Sequence, residues 1–423
     1  MNIKNKEVFL ERAKQYFKTD YDKFVSLIDL KPSSGFFLNE KKANKEKIFE
    51  VIDFDFEPFL LNDKSYYSKE ESIGKSKAYE LGLIYPQDVE SSLPISLIEE
   101  DDIKLAIDLC AAPGGKSINA INKLDDNTIL ISNDVTYKRA SILSSNIERM
   151  GFDNCIITSL KPDYLANKYE GLFDLVILDA PCSGEGMIRK YPEILDTYSI
   201  TNINDLASIQ KGLLESAYKL LNEGGQLIYS TCTYAYEEDE WQVDDFLKRH
   251  KCMSLIKPYK KMSFLDNTEG QFMALMKKEG SLVHKKYKYK KTVCNKIVDS
   301  FIKDNINIDA YYLYNNENNY YMSLMPILNV DNGILRCCIY LGELKKDRFE
   351  PSHSLYRTNR LDFKYKYDLS DEEYDKFIKG EELNVNLDNH YYQVTYKNLP
   401  LGFGKCSNGQ LKNKYPKGLR RMV

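Results

Sequence analysis

Apolar residues between positions 104 and 278 fall into short continuous runs separated by stretches of helical spacing. The runs are KLAIDLC, TILISND, CIITSL, DLVILDA, GQLIYSTC and QFMALMK, and the stretches between them predict helices over 116–124, 137–150, 203–221 and 237–250. Strands that alternate with helices in this way indicate a parallel sheet with crossover helices. We therefore predict a doubly wound, Rossmann-like α/β domain, with QFMALMK at a sheet edge in a hairpin or antiparallel arrangement.

The segments on either side follow other patterns. Residues 5–30 have the spacing of a helix, with apolar positions Val8, Phe9, Ala13, Phe17, Phe24, Leu27 and Ile28. A short strand in GFFLN and a helix over 44–53 complete a small α+β unit. Beyond residue 297 the chain is rich in strand and turn signals, interrupted by a short helix over 370–379. We predict an N-terminal α+β domain (1–70), the α/β domain (71–280), a basic linker (281–296) and a β-rich C-terminal region (297–423).

Composition narrows the class of protein. No run approaches the roughly 18 apolar residues of a membrane helix, and the charged start MNIKNKEVFLERAKQYF does not resemble a signal peptide. The nine cysteines form no CxxC pair, and the four histidines have no ligand spacing. We expect a cytoplasmic protein in a reducing compartment, with no membrane association and no metal site.

Charge is distributed unevenly along the chain. The net charge is −4, yet residues 277–296 carry eight lysines against one glutamate, and residues 405–423 carry six Lys or Arg and no acid. Such runs are candidate phosphate contacts. A charge run by itself is more often a solvated linker or tail, so composition alone favours that interpretation.

The first candidate ligand site is AIDLCAAPGGKS, residues 106–117, in which a strand runs through small residues into a helix. Gly114 and Gly115 allow the backbone to approach a ligand, and the helix N-terminus offers free N–H groups to an anion. Asp134, 19 residues after Gly115, ends the next strand, where an acid can bind ribose hydroxyls. A nucleotide-like ligand is implied, although no GxGxxG fingerprint is present.

Two further motifs bring cysteines to the same edge of the predicted sheet. DLVILDAPCSGEGMIRK (174–190) delivers Asp179 and Cys182, and GGQLIYSTCTYAYEEDE (224–240) delivers Cys232, followed by an acidic cluster. Open α/β sheets bind ligands at the carboxyl ends of their strands. A lone cysteine is usually an inert buried residue. Two cysteines at two strand ends of one sheet favour catalysis.

Two thiols suit methylation of cytosine at carbon 5. That carbon is a poor nucleophile until a thiolate adds to carbon 6 and turns the ring into an enamine. After methyl transfer a base must remove the proton from carbon 5 so that the thiolate can leave. Asp179 would hold the ring at N3 and N4, and the base must leave its stack to enter the site.

The motifs DLCAAPGGKS, DAPCSGEGMIRK and STCT resemble the Nop/Sun family of RNA cytosine-5 methyltransferases. The resemblance implies that Cys232 is the nucleophile and that Cys182 assists product release. It also implies S-adenosyl-L-methionine as cofactor, with contacts from Cys110, Ala111, Ala112, Pro113, Gly114, Gly115, Lys116, Asp134 and Asp179. A further family aspartate corresponds to Ser159 or Asp163 in shifted register.

The resemblance extends to both ends of the chain. GLIYPQDVESS resembles a family G-x-Y-x-Q segment, and GFFLNEKK has Phe37 where an arginine is typical. YLGELKKDRFEPSHSL, FIKGEEL and GFGKCSNGQLKNKYPKGLR resemble the C-terminal modules of the bacterial 16S ribosomal RNA methyltransferase F group, the last being PUA-like. This implies 16S rRNA or the 30S subunit as partner and makes the basic linker and tail expected phosphate contacts. We expect a monomer.

Other functions fit the sequence less well. A DNA cytosine-5 methyltransferase would use the cysteine of a P-C-Q segment, but Ser183 follows Cys182. An amino-group methyltransferase would have an N-P-P-Y motif and no use for Cys232. A tRNA cytosine-5 methyltransferase and a non-catalytic RNA-binding ribosome-assembly factor remain open alternatives.

Overall fold

The computed structural model describes residues 3–99, 102–330 and 332–421. Residues 1–2, 100–101, 331 and 422–423, which belong to the predicted N-terminal, α/β and C-terminal domains, lie outside the described residues. None of the helices in the described ranges is both long and apolar enough to cross a membrane.

The N-terminal region contains two helices followed by a four-stranded antiparallel sheet of order β2-β3-β1-β4. Its elements are α1 (Ile3–Phe17), α2 (Tyr21–Ile28), β1 (Gly35–Leu38), α3 (Lys45–Phe49), β2 (Phe56–Pro58), β3 (Ser65–Ser68), α4 (Lys77–Glu80), β4 (Ile84–Pro86) and α5 (Leu93–Ser96). The helix predicted over 5–30 is therefore two helices, because a 3-10 turn over Lys18–Asp20 interrupts it.

The central region is the predicted α/β domain. Its elements are β5 (Leu105–Asp108), α6 (Gly115–Lys123), β6 (Ile129–Asn133), α7 (Tyr137–Met150), β7 (Cys155–Thr158), α8 (Pro162–Lys168), β8 (Phe173–Asp179), α9 (Ile194–Thr197), α10 (Ile200–Leu220), β9 (Leu221–Thr231), α11 (Glu240–Arg249), β10 (Met253–Leu255), β11 (Lys260–Met262) and β12 (Gln271–Lys278). Strands β5 to β9 are parallel, in the order β9-β8-β5-β6-β7. The strand order reverses at β5, which lies between β6 and β8, so this is the switch point at which such sheets bind ligands.

The C-terminal region is rich in strands, as predicted. Its elements are α12 (Lys296–Asn305), β13 (Ile306–Asn307), β14 (Tyr312–Asn316), β15 (Asn319–Ser323), β16 (Ile334–Cys337), β17 (Ile339–Leu344), β18 (Phe349–Pro351), β19 (Asp362–Phe363), β20 (Lys366–Leu369), α13 (Asp371–Lys379), β21 (Leu383–Asn384), β22 (Tyr391–Tyr396), β23 (Leu399–Ser407) and β24 (Gln410–Asn413). Two sheets follow one another, β14-β15-β17-β18 and β20-β22-β23-β24-β21.

The two ends of the central sheet differ from the sequence prediction. Strand β12 is antiparallel to β9, which confirms that part of the prediction, but its edge position is wrong: β10 and β11 pair with its outer side. These strands have three residues each, too short to show a pattern. At the other end β16, from the C-terminal region, pairs with β7 and extends the sheet.

Apolar contacts join the three regions. One buried cluster contains Phe36 and Leu81 of the N-terminal region together with Tyr374 and Leu401 of the C-terminal region. A second places the N-terminal helices against the central domain, where Phe24 stacks on Phe264 with ring centroids 5.1 Å apart. Helices α1 and α2 therefore support the loops that follow β8 and β9 rather than the N-terminal sheet.

Candidate active site

The carboxyl ends of β5, β8 and β9 open into one cleft of about 850 Å³. On the side of the central domain it is lined by Asp108, Cys110, Ala111, Ala112, Pro113, Gly115, Lys116, Asp179, Met187, Lys190, Tyr191, Cys232 and Gln271. The N-terminal region forms the other wall, with Ser33, Ser34, Gly35, Tyr79, Tyr85, Gln87 and Asp88 among its residues. The cleft thus lies at the switch point and is closed by a second region of the chain.

The loop between β5 and α6 brings backbone close to the cleft. Gly114 precedes the helix with φ of +124°, a conformation that side chains rarely adopt. A Cβ atom on Gly115 would lie 2.9 Å from Oε1 of Gln87. Gly115 and Lys116, the first residues of α6, line the cleft, so this end of the helix can accept an anionic group.

Asp108 ends β5 beneath this loop and is fully buried. Its Oδ2 accepts a hydrogen bond from the Ser117 hydroxyl at 2.7 Å, while Oδ1 has no partner among the described residues. Burial raises the pKa of Asp108 to about 7. A buried carboxylate oxygen without a donor is a position where a ligand can provide one.

Lys116 and Asp179 form an ion pair inside the cleft. The Lys116 Nζ lies 2.8 Å from Oδ2 of Asp179, and the Ser230 hydroxyl donates to Oδ1 of Asp179 at 2.7 Å. The lysine side chain is only 10% exposed. Burial opposes its charge, but Asp179 and the nearby Cys232 outweigh burial and raise the pKa of Lys116. A fixed cation therefore lies beside the Cys232 thiol.

The two motif cysteines are in contact. Their Sγ atoms are 3.3 Å apart, and the backbone N–H of Cys232 points to the Cys182 sulfur at 3.4 Å. The hydrogen bond with Cys232, together with burial, raises the pKa of the Cys182 thiol well above its usual range. The pair therefore does not carry two thiolates at once.

Two buried acids from the cluster that opens α11 hold the cysteine loops. Glu238 accepts a hydrogen bond from the Ser183 N–H at 2.9 Å, next to Cys182. Asp239 accepts one from the Thr231 hydroxyl at 2.5 Å, next to Cys232, and pairs with Lys261 at 3.0 Å. Burial raises the pKa of Glu238 to about 7. The EEDE cluster is therefore largely internal and fixes both loops.

The same loops are locked to each other through backbone. Gly186 donates its N–H to the carbonyl of Cys232 at 3.0 Å and accepts the N–H of Gly270 at 3.2 Å. A Cβ on Gly186 would lie 2.2 Å from the Gly270 Cα, closer than any real contact. Glu185, fully buried, accepts the Tyr234 N–H at 3.0 Å. The second glycine of the GEG sequence, Gly186, is therefore required by backbone packing.

Two family models match segments of this chain, and one of them covers the central-domain side of the cleft. The family described as 16S rRNA methyltransferase RsmB/F matches residues 95–287, which include the loops after β5, β8 and β9. The family described as Methyltransferase RsmF PUA domain matches residues 364–421. The tRNA (cytosine(49)-C(5))-methyltransferase of Pyrococcus abyssi is 36% identical over 217 residues, half of this chain and 70% of that protein. The chain belongs to the RsmB/F family of methyltransferases.

Another relative aligns with nearly the whole of this RsmB/F methyltransferase, and two solved structures share its fold. The Ribosomal RNA small subunit methyltransferase F of Shewanella piezotolerans is 27% identical over 429 residues, 90% of this chain and 89% of that protein. The crystal structure of NSun6 from Pyrococcus horikoshii with SFG superposes with a TM-score of 0.57 at 20% identity, covering 64% of this chain and 98% of that one. The structure of a methyltransferase homologue from the same organism superposes with a TM-score of 0.55 at 22% sequence identity, covering 66% of this chain and 100% of that one. These structures establish the Rossmann-like methyltransferase fold.

Some residues predicted for the RsmB/F site lie outside the cleft lining. Asp134 directly follows β6 and is 2% exposed. Its carboxylate accepts a hydrogen bond from the Thr136 N–H at 2.9 Å and lies 3.4 Å from the Arg139 guanidinium. Cys182 lies behind Cys232. The Ser159 hydroxyl donates a hydrogen bond to the carbonyl of Val135, and the exposed Asp163 lies in the first turn of α8. Neither residue lines the cleft.

Sequence reasoning missed the cleft wall from the N-terminal region. Tyr85 and Gln87 belong to the GLIYPQDVESS segment, whose resemblance to a family segment does not by itself predict a place in the cleft. Asp88 forms an ion pair with Lys190 across the cleft. Burial raises the pKa of the neighbouring Glu90 to about 8. The signal available in the sequence was the resemblance of this segment to the family G-x-Y-x-Q segment.

The basic linker starts at the edge of the sheet opposite the cleft. His284 lies 3.0 Å from Asp102, before β5, and 3.3 Å from Asp174, at the beginning of β8. A strand's amino end is the end away from this cleft, so any phosphate contact by the lysines after His284 would be remote from Cys232.

Proposed function

We propose that the chain is an S-adenosylmethionine-dependent RNA (cytosine-5-)-methyltransferase that acts on 16S ribosomal RNA through a covalent adduct between Cys232 and carbon 6 of cytosine. The observation that carries the proposal is the pair of thiols 3.3 Å apart at the ends of neighbouring strands, beside the ion pair between Lys116 and Asp179. Methylation of an amino group or of a ribose hydroxyl has no use for two thiols in contact.

The residues in the cleft fit S-adenosylmethionine. The start of α6 and the Cys110–Lys116 loop suit its carboxylate, and the unpartnered oxygen of Asp108 suits its ammonium group. Asp134, at the end of β6, is our proposed ribose contact. The cofactor, when bound there, would supply the methyl group as a sulfonium substituent.

Cys232 acts as the nucleophile in this scheme. Its thiolate adds to carbon 6, which forms a carbon–sulfur bond and gives carbon 5 the character of an enamine. The Lys116 ammonium, which lies beside the thiol, offsets negative charge that develops on the ring. Asp179 would accept a hydrogen bond from the exocyclic amino group, because Ser230 and Lys116 hold its carboxylate in place.

Cys182 acts as the base that completes the reaction. Its pKa is raised first by the hydrogen bond with Cys232, and that partner is lost once the Cys232 sulfur is bonded to carbon. The Cys182 thiol can then lose its proton to solvent water and, as thiolate, take the proton from carbon 5. The electron pair of that C–H bond re-forms the ring double bond, the carbon–sulfur bond breaks, and Cys232 is released as thiolate.

The catalytic test uses single-cysteine variants and labelled methyl transfer. Cys232→Ala should abolish transfer and form no adduct, whereas Cys182→Ala should permit attack and leave enzyme covalently bound to RNA on a denaturing gel. Cys294→Ala, at the exposed cysteine of the linker, is the matched control and should behave as wild type. A trapped adduct from Cys232→Ala in place of Cys182→Ala would exchange the two roles.

The substrate test compares 30S particles, naked 16S rRNA, tRNA and DNA. Two findings support ribosomal RNA as the substrate: both family models match, and the Shewanella protein aligns over 90% of this chain. The P. abyssi relative, named for tRNA, supports tRNA as the second candidate. Label in ribosomal RNA supports the first; label in tRNA alone supports the second. No label in any substrate would favour a ribosome-assembly factor that binds RNA without catalysis.

A further inference from the structure

The loop that follows β8 leads from the depth of the active-site cleft to its mouth. Cys182, near the start of this loop, is half-buried and contacts Cys232. Tyr191, further along the same loop, lines the cleft and is 52% exposed. Exposed tyrosines are common on protein surfaces and mean little by themselves. This ring differs from most because it lies on the wall of a cleft that holds two thiols.

The Tyr191 side chain has no partner within the described ranges. It belongs to none of the buried apolar clusters, although Ile188 and Ile194 of the same loop pack in one of them. It stacks on no other ring, no lysine or arginine lies over its face, and its hydroxyl makes no hydrogen bond to the protein. The ring is therefore available to a ligand at the mouth of the cleft.

The backbone that carries Tyr191 is held firmly. Its N–H donates to the carbonyl of Met187 at 2.8 Å, and its carbonyl accepts the N–H of Ile194 at 3.0 Å. On either side of it in the chain, Ile188 and Leu195 are buried against helices α1 and α2. A ring on such a support loses little conformational entropy when a ligand packs on it.

The two basic residues before Tyr191 are already bound within the protein. Arg189 donates to the carboxylate of Glu269 at 2.9 Å, and Lys190 forms the ion pair with Asp88. Both basic side chains are largely buried. Of the three residues in the RKY sequence, Tyr191 alone offers an exposed side chain to a ligand.

Base flipping creates a need that this ring can meet. A cytosine that enters the cleft leaves its stack, and each neighbouring base then loses a stacking partner. Aromatic side chains stack on any base, because every base has a π-face. A ring at the mouth of the cleft can stack on a neighbouring base while the target itself lies deeper, at Cys232.

We propose that Tyr191 stacks on a nucleotide next to the target cytosine and so positions the target for attack by Cys232. The proposal rests on the proposed function, because it adds a substrate-positioning residue to the same cleft. The ring acts through stacking alone, so its hydroxyl is not required.

The first test measures kcat/KM for transfer of labelled methyl to the RNA that accepts it. Tyr191→Ala and Tyr191→Leu should each lower kcat/KM by about 5- to 100-fold, whereas Tyr191→Phe, which keeps the ring, should stay within about twofold of wild type. Tyr289→Ala is the matched control, since it removes a ring of similar exposure, 55%, from the basic linker. Wild-type activity in Tyr191→Ala, or an equal loss in Tyr191→Phe, would overturn the proposal.

A second test identifies the contact itself. Short RNAs that contain the methylated cytosine carry an abasic nucleotide on its upstream side, on its downstream side or on neither. With one of the two abasic RNAs, Tyr191→Ala should cost nothing further, because the stacking partner is already absent. An undiminished loss with both abasic RNAs would mean that the ring only supports the loop, and would refute the proposal.

A binding assay separates this proposal from the proposed function. The probe is an oligocytidine with one central 2-aminopurine, whose fluorescence is quenched when that base stacks on an aromatic ring. Quenching by wild type and Tyr191→Phe but not by Tyr191→Ala, with no methyl label in any RNA, would refute the proposed function and leave the stacking contact standing. Methyl transfer with no difference between Tyr191→Ala and wild type in either assay would refute the stacking contact alone. If Tyr191→Ala fails to fold, Tyr191→Leu takes its place in all three tests.

Discussion

Gly186→Ala tests whether the contact between the two cysteine loops sets the catalytic geometry. The added Cβ would lie 2.2 Å from the Gly270 Cα, 2.6 Å from the Gly270 nitrogen and 2.9 Å from the Cys232 carbonyl oxygen. Carbon atoms in contact prefer about 3.5 Å, so the loops must separate by roughly 1.3 Å. All the nearest atoms are backbone, so no side chain can rotate away to relieve the clash.

A displacement of this size changes catalysis more than stability. Misplacement of reacting groups by about 1 Å costs on the order of 100-fold in rate, whereas overpacking costs about 1–3 kcal/mol of unfolding free energy. We therefore expect kcat/KM for methyl transfer to fall about 100-fold while the variant stays folded. The assays are labelled methyl transfer to 16S rRNA and urea unfolding.

The matched control is Gly212→Ala, within helix α10. No atom lies within 4 Å of a Cβ at that position, and alanine should stabilise the helix by about 0.5–1 kcal/mol with normal activity. If Gly186→Ala keeps kcat/KM within threefold of wild type, the backbone lock does not position the thiols, and the reasoning fails.

Three more predictions follow from the site. Glu238→Ala removes the acceptor of the Ser183 N–H and should lower the free energy of unfolding, measured by urea denaturation, by about 1–3 kcal/mol. Glu238→Gln keeps one acceptor oxygen and should lose less. Equal losses in the two variants would contradict this role. Burial raises the pKa of Asp108 to about 7, so between about pH 4 and pH 7 this carboxyl is protonated in the folded protein but not in the unfolded chain. The free energy of unfolding should therefore fall as pH rises through that interval. In Asp108→Asn the fall should be shallower, and an unchanged slope would refute the assignment. Hydrogen peroxide should oxidise the Cys182 and Cys232 thiols to a disulfide, with two waters formed from the peroxide, and dithiothreitol should restore activity; a peptide map without this bridge after inactivation would refute the prediction.

The parallel sheet was predictable because its signal is local. Strands β5 and β8 are continuous apolar runs, and a strand buried on both faces needs that pattern whatever surrounds it. Helix α7 has the predicted bounds, and its end at Gly151 adopts the left-handed conformation that favours glycine. The convergence of Asp179 and Cys232 followed from sheet geometry alone.

The rest depended on contacts between distant segments. Sequence patterns cannot show that β16 adds to β7, because a four-residue strand can pair with any exposed edge of suitable register. The amphipathic spacing of α1 and α2 predicts a buried face but not its partner, which turned out to be the loops after β8 and β9.

The sequence by itself therefore determined the α/β fold, the edge of the sheet at which we propose catalysis and the two cysteines that reach this edge, since each depends on strand polarity and local residue type. Only the tertiary structure decided that the thiols touch, that Glu238 and Asp239 face inward and that Tyr85 and Gln87 close the cleft. These features depend on burial, and burial is a property of the packed chain: an acidic cluster looks the same in a sequence whether it faces solvent or holds a catalytic loop.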